Sequence, residues 1–334
     1  MVYICNEGSP NVAATSIRFD AGRILRAATN QKLAVTVLAG GPSGERDVSL
    51  TSGRTVTAAL EQMGHSVYLE DIAPENLGAL ARTVDCVFIA LHGRFGEDGD
   101  VQEILERRKI AFTGSGSDAC ALAMNKYLSK KKFAELGLPT PRYDIATRDT
   151  VREAMAAWSL PVVVKPVKEG SSLHCHIVRD FEQFRPAIDD VLAAYGDGMV
   201  EEYIPGKEIT IGILGDQALP PIEIRTRRDF YNYDAKYVDE DTEYVFDIDL
   251  PSDLLERMEQ LSLEAHVGLG CRDFSRVDWR VDTDRMEPYI LEVNVVPGLT
   301  SHSLLPKAAA RAGVPMPQMC QFLIDSAIRR KFAR

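Results

Sequence analysis

Phe274-Ser-Arg276-Val-Asp278-Trp-Arg-Val281 and Pro288-Tyr-Ile-Leu-Glu292-Val-Asn294 flank an Asp282-Thr-Asp-Arg turn, the pattern of a β-hairpin. Side chains two apart on a strand share a face, so Arg276 goes with Asp278 and Glu292 with Asn294. With the turn centred near residue 285, Asp278 lies opposite Glu292 and Arg276 opposite Asn294. Three oxygen donors and a guanidinium then share one face. Hard oxygen ligands on adjacent strands suit Mg²⁺, which takes a few carboxylates and completes its shell with water and phosphate. An arginine beside them suits an anionic substrate or a developing oxyanion. A salt-bridge ladder on a surface hairpin is the other reading. The apolar Val277, Ile290 and Val293, and an asparagine in place of a third acid, favour the metal.

Upstream, Pro161-Val-Val-Val-Lys165-Pro is an apolar strand ending in lysine, followed by Lys168-Glu-Gly-Ser-Ser172. Such a Gly/Ser loop can fold over phosphates with its backbone N–H groups while the lysine supplies a point charge. Taken alone, the loop fits a plain hairpin turn equally. No Walker A sequence occurs, so an ATP enzyme here would use another phosphate cradle. Residues 199–203, 208–214 and 220–225 read as strands, and 253–269 and the stretch from 317 as helices. Residues 227–247, dense in aromatic and charged side chains without strand or helix period, read as a long functional loop.

Toward the start, Leu33-Ala-Val-Thr-Val-Leu38 runs into Gly40-Gly-Pro-Ser-Gly44. A helix over 49–63, strands at 66–69 and 85–91, and a helix over 117–136 follow. Short apolar strands alternating with helices indicate an α/β unit with a largely parallel sheet. Its ligand edge is the carboxyl end of the strands, where Gly40, His92 and Gly114 fall. The prolines of Gly137-Leu-Pro-Thr-Pro141 stop the last helix and mark a boundary. Gly114-Ser-Gly-Ser-Asp-Ala119 matches a dinucleotide fingerprint, but it closes the unit instead of opening it. No acid stands at the end of a second strand some 20 residues on.

Hydrophobic residues make up 45% of the 334 and charged ones 26%, with a formal charge of −11. The acidic balance argues against nucleic acid as a partner, since that needs a basic face. No apolar run reaches the length of a membrane span. Six cysteines, at 5, 86, 120, 175, 271 and 320, form no Cys-x-x-Cys pair, which reads as reduced thiols in a cytoplasmic protein. Residues 1–31 read as an N-terminal extension, with a short amphipathic helix over 17–28 and no secretory signal core.

Taken together, the motifs resemble the D-alanine–D-alanine ligases. Gly40-Gly-Pro-Ser-Gly-Glu45-Arg-Asp-Val-Ser49 is similar to that family's opening signature, Leu91-His-Gly-Arg-Phe-Gly-Glu-Asp-Gly99 to its second, and Thr113-Gly-Ser-Gly116 to the next. Lys165-Pro-Val-Lys-Glu-Gly-Ser-Ser172 resembles its phosphate loop, and Tyr231-Asn-Tyr-Asp-Ala-Lys236-Tyr237 its substrate-capping loop. The stretch from Leu291 through Gly298 to Ser303-Leu304 resembles its closing signature. The resemblance implies an α/β (α+β) three-domain ATP-grasp fold. An extension over 1–31 would precede an N-terminal parallel α/β domain over 32–122. A central ATP-grasp domain over 123–212 and a C-terminal one over 213–334, with capping loop 227–247, would follow.

It further implies ATP-dependent joining of two D-alanines through an acyl phosphate and a tetrahedral intermediate, for peptidoglycan synthesis. By position, Glu45 would hold the first ammonium with His92 near it, and Ser303 and Leu304 the second carboxylate. Lys126, Lys165, Lys236 and Ser172 would contact the phosphates, Glu201, Glu202, Tyr203 and Ile204 the adenine, and Glu208 the ribose. Asp278, Glu292 and Asn294 would hold two Mg²⁺, or Mn²⁺. Arg276 and the Gly298 backbone would stabilise the oxyanion, and Ser171 and Tyr237 would bridge to Glu45. A homodimer is also implied.

Two places depart from the family pattern. A glycine usually follows the serine pair at position 174, where this chain has Leu173-His174-Cys175-His176. His174 and His176 share a strand face, but two histidines without a third ligand make a poor zinc site, and they read as strand residues. Val295-Val296 replaces the usual hydroxyl after the asparagine, removing a support for Asn294. Two other readings stay open: a carboxylate–amine ligase with a different second substrate, and a non-catalytic nucleotide-binding homologue.

Overall fold

Three sheets organise the chain in a computed structural model that describes residues 19–26, 31–170, 173–227 and 241–332. Strand β1 (Ala34–Ala39) is the middle of a parallel sheet with β2 (Ser66–Asp71) and β3 (Cys86–Ile89), in the order β2-β1-β3. Val35, Val37 and Leu38 are fully buried, as expected of a parallel strand covered on both faces. Helix α2 (Arg46–Gln62) packs on this sheet. It comes close because Gly53 has no side chain: a Cβ there would stand 2.5 Å from the Ala39 Cβ. Helix α3 (Asp100–Arg107) lies beyond β3.

The helix expected over 117–136 is two helices, α4 (Ser117–Met124) and α5 (Lys126–Glu135). Asn125 leaves helical geometry at φ −86°, ψ 96°, and its side chain accepts from the Leu128 N–H at 3.2 Å. A capping asparagine of this kind starts a new helix. The break releases the Lys126 N–H, which donates to the Val167 carbonyl at 2.9 Å. Lys126 is thereby pinned beside the loop that follows Lys165.

The central sheet has β4 (Tyr143–Thr147), β5 (Val162–Lys165), β6 (His176–Val178) and β7 (Asp197–Glu202), in the order β4-β7-β5-β6 with antiparallel pairings. Helices α6 (Val151–Ala157) and α7 (Phe181–Tyr195) pack on it. They close a separate core around Trp158, Phe184, Ile188 and Val200.

The third sheet holds β8 (Lys207–Leu214), β9 (Gln217–Ala218), β10 (Ile222–Arg225), β11 (Glu243–Val245), β12 (Phe274–Asp282) and β13 (Glu287–Asn294). Its main path is β11-β10-β8-β12-β13. All of β8 belongs here, so the change of sheet falls at residues 203–206, ahead of the expected 212/213 boundary. Strand β11 lies inside the expected loop 227–247, pairing Val245 with Glu223; its period is too short to read in sequence. Helices α8 (Ser252–Gly268), α9 (Leu304–Arg311) and α10 (Met316–Phe332) follow the third sheet's strands in chain order or pack on them. The inward face of β12 is apolar, and Trp279 donates its indole N–H to Ser262 on α8 at 3.0 Å.

The first and third sheets share one continuous core, which also takes in Ile24 of α1 (Ala21–Arg26). The central sheet has its own. A unit with a separate core can swing as a body about its connections at little cost to either core. Among the described residues, no helix is long and apolar enough to cross a membrane.

Candidate active site

The hairpin folds in the expected register: Arg276 opposite Asn294 and Asp278 opposite Glu292. A bulge between Asp278 and Trp279 then shifts the pairing, so Trp279 meets Ile290. Arg276 makes a two-pronged pair with Asp278, Nε to Oδ1 at 2.8 Å and a terminal nitrogen to Oδ2 at 2.7 Å. Thr210 on β8 donates to Asp278 Oδ1 at 2.6 Å. Glu292 is reached by the Lys126 ammonium at 2.9 Å. Asn294 is steadied by the backbone, its Oδ1 accepting from the Val296 N–H at 3.2 Å. That bond needs no hydroxyl at 295 or 296, so Val295-Val296 does not leave Asn294 unsupported.

Behind Lys126 lies a buried charge cluster. Glu201 on β7 takes Lys165 Nζ on one oxygen and Lys130 Nζ on the other, both at 2.6 Å. Lys130 also donates to Thr140 Oγ1 at 2.6 Å. Burial pushes the Lys130 ammonium down to about 8 despite Glu201 beside it. For Lys165 burial acts in the same sense, but Glu201 outweighs it and the pKa stands above the ordinary lysine value. Burial likewise opposes the Glu201 charge, and the two lysines outweigh it, holding the carboxyl below its ordinary range. Two ammonium groups against one carboxylate leave a net positive charge in a dry wall, a setting made for an anion.

One pocket is lined by Lys126, Lys165, Glu201, Glu202, Tyr203, Ile204, Glu208, Asp278 and Glu292, every described residue expected at nucleotide or metal except Asn294. A second collects Glu45, His92, Ser303 and Leu304, expected at the two amino-acid substrates, with Arg276 and Gly298, expected at the oxyanion, and the metal candidate Asn294. Gly170 lines both pockets, so they meet at the phosphate loop. Ser171, Ser172, Lys236 and Tyr237 lie outside the described residues.

In the second pocket His92 is 4% exposed. Its Nδ1 donates to the Val296 carbonyl at 3.0 Å and approaches Glu97 at 3.4 Å, while Nε2 sits 3.0 Å from Ser52 Oγ. Burial alone would lower its pKa, but hydrogen bonding and charge from Glu97, with Glu45 and Val296 adding, raise it above the ordinary histidine value. Ser303 precedes α9 and receives the Thr300 N–H at 3.0 Å. Gly298 approaches so closely that a Cβ there would stand 2.6 Å from Ser303 Oγ. A helix start with a serine at its mouth offers N–H groups to a carboxylate.

Lys130, Glu97 and Arg280 were not singled out in the sequence. The four-residue spacing of Lys126 and Lys130 on one helix was the available signal for the first, and Glu97 stood inside the quoted 91–99 signature. His174 is not a strand residue: it precedes β6 with a left-handed φ of 51°, the conformation a glycine takes freely. His174 Nδ1 and His176 Nε2 both meet Asp190 Oδ2 of α7 at 2.7 Å. Among the described residues, no group of three or more His, Cys, Asp or Glu is arranged to hold a metal.

The fingerprint at 114–119 is filled by protein. Asp273 accepts from the Gly114 N–H at 2.8 Å, Arg272 donates to the Gly114 carbonyl at 2.8 Å, and Glu106 takes the Ser117 hydroxyl at 2.6 Å. No room remains there for a pyrophosphate.

Residues 133–325 match the family model for the D-ala D-ala ligase C-terminus, and residues 69–115 that for the N-terminus. The chain is 42% identical over 297 residues to a D-alanine–D-alanine ligase of Anaeromyxobacter dehalogenans, covering 88% of this chain and 96% of that one. Two crystal structures of the ligase from Bacillus anthracis are similar throughout. The one complexed with ATP has a TM-score of 0.77 at 31% identity, covering 90% of this chain and 99% of the other. The other has a TM-score of 0.78 at 33% identity, with coverage of 90% and 98%.

Proposed function

The chain belongs to the D-alanine–D-alanine ligase family and has its ATP-grasp fold, and on that premise we propose that it joins two D-alanine molecules at the expense of ATP. The observation that carries this reading is the meeting at Gly170 of a cleft lined by Lys126, Lys165, Asp278 and Glu292 with a pocket that gathers Glu45, Arg276 and Ser303.

The nucleotide lies between the central and C-terminal sheets. Glu201, Glu202, Tyr203 and Ile204 line the adenine and Glu208 takes the ribose. Lys126, Lys165, Lys236 and Ser172 neutralise and orient the phosphates. The donor set of Asp278, Glu292 and Asn294 suits Mg²⁺ or Mn²⁺: two carboxylates and an amide oxygen, already drawing cationic side chains at 2.7 and 2.9 Å. Two ions held there would offset charge on the phosphates during transfer.

The carboxylate of the first D-alanine, its ammonium held by Glu45 near His92, attacks the γ-phosphorus, giving ADP and an acyl phosphate. The second substrate's carboxylate rests on Ser303 and the N-terminus of α9, at Leu304. Its free amine attacks the acyl carbon, and Arg276 with the Gly298 N–H takes the oxyanion until the C–O bond breaks and phosphate leaves. Ser171 and Tyr237 complete the bridge to Glu45, and the 227–247 segment shields the acyl phosphate from water. Positioning and charge neutralisation are what phosphoryl transfer needs.

The division into an N-terminal unit (32–122), a central unit ending with β7 and a C-terminal unit from β8 follows the sheets. A cytoplasmic homodimer supplying the peptidoglycan precursor dipeptide is the setting that fits this chemistry. Phosphate release from ATP and Mg²⁺ with D-alanine, L-alanine, D-serine and D-lactate tests the reading. Release that requires D-alanine, with the dipeptide identified by mass, is expected. Tight ATP binding without release from any of these substrates would overturn it.

A further inference from the structure

Arg280 stands in the nucleotide cleft without a role in the chemistry above. It shares the cleft face of β12 with Asp278 and Arg276, two and four residues away, and pairs across the ladder with Glu208 on β8. Its Nε donates to the Ile204 carbonyl at 3.1 Å and a terminal nitrogen donates to the Gly206 carbonyl at 3.0 Å. The other terminal nitrogen lies 3.6 Å from Glu208 Oε2. Both side chains are 15% exposed.

These partners are not equivalent. Ile204 and Gly206 lie in the segment 203–206 that carries the chain from the central sheet to the C-terminal one, between two separate cores. Gly206 has a φ of 101° and presses on the Val281 carbonyl and Thr283, leaving no room for a side chain. The guanidinium thus spans the connection that joins the two walls of the cleft, and its remaining edge faces Glu208. At 3.6 Å the contact compensates charge but is too long for a hydrogen bond. A planar fork suits this three-way role, and the point charge of a lysine does not.

We propose that Arg280 is a positioning residue for the nucleotide: it fixes the 203–206 connection and orients the Glu208 carboxylate toward the ribose hydroxyls. The proposal rests on reading this cleft as the ATP site. Its consequence is a preference for ribose over deoxyribose that depends on a residue not itself required to touch the sugar.

The test is equilibrium binding of ATP and of 2′-deoxyATP to the full chain, with Mg²⁺ and without amino acid, in wild type, Arg280→Met and Glu208→Gln. Wild type should prefer ATP. Arg280→Met should weaken ATP about tenfold, equivalent to ~1.4 kcal/mol, and 2′-deoxyATP less than about threefold, erasing most of the preference. Glu208→Gln should do the same, and the double variant should lose no more than either alone, as coupled residues do. At saturating ATP, kcat of Arg280→Met should stay within about twofold of wild type. Should Arg280→Met fail to fold, Arg280→Lys, which keeps the charge without the fork, is judged by the same ratio. Equal weakening of both nucleotides, or none, overturns the proposal while leaving the ATP site standing. A wild type that binds neither nucleotide overturns the ATP reading itself, and this inference with it.

Discussion

Replacing Lys130 by methionine would test the charge arithmetic of the cleft. The side chain is wholly buried, 2.6 Å from Glu201, which also holds Lys165. Removing one partner of a buried pair costs about 3–5 kcal/mol. Glu201 keeps Lys165, and methionine fills most of the space, so about 3 kcal/mol is expected. The bond to Thr140 accounts for about 1 kcal/mol of that. The same change cancels the cluster's surplus positive charge, leaving one carboxylate against one ammonium.

ATP affinity should then fall about 10- to 100-fold, the value of a charge-assisted hydrogen bond of ~1.5–3 kcal/mol. Lys130→Met/Glu201→Gln restores the surplus charge and should recover most of the affinity. Urea unfolding near pH 7, without nucleotide, reads the stability, and calorimetric titration with ATP reads the affinity. A stability loss under about 1 kcal/mol, or a double variant no tighter than the single, would refute the reasoning.

Other expectations follow from the same geometry. Arg276→Ala should leave ATP binding nearly intact while kcat falls about 10²- to 10³-fold, as loss of an oxyanion donor does; steady-state kinetics beside nucleotide titration checks this. Chelation of divalent cations should abolish turnover, and either Mg²⁺ or Mn²⁺ should restore it. Burial, with Glu256 nearby, raises the Glu259 carboxyl on α8 from 4.5 to about 7. The folded state keeps a proton that the unfolded chain gives up in that window, so Glu259 costs stability increasingly as pH rises from 4.5 through 7. With part of the shift discounted for solvent access, Glu259→Gln should gain on the order of 1 kcal/mol, or roughly 2 °C in Tm, at pH 8 and nothing at pH 4. Thermal melts at the two pH values would measure it.

The hairpin was the most legible part of the chain. Period-two alternation around a four-residue turn sets both register and face, and Asp278 meets Glu292 as that pattern requires. The bulge after Asp278 was not legible, because the extra residue, Leu291, lies on the partner strand and leaves no mark on the alternation of β12. A continuous helix over 117–136 was a fair reading of composition, but Asn125 gains more from capping α5 than from staying helical. His174 looked like a strand residue because alternation cannot register a positive φ.

By itself, then, the sequence determined the main apolar strands, the signatures and the hairpin's register. All of these depend on neighbours close in the chain. Tertiary structure alone decided the rest. Lys130 joined the buried charge cluster behind the cleft because Glu201, 71 positions away, is folded against it. The dinucleotide-like loop was closed because Asp273 and Arg272 fill it. Charges and hydrogen bonds act through space over a few ångströms, and only the folded chain sets which groups come that near.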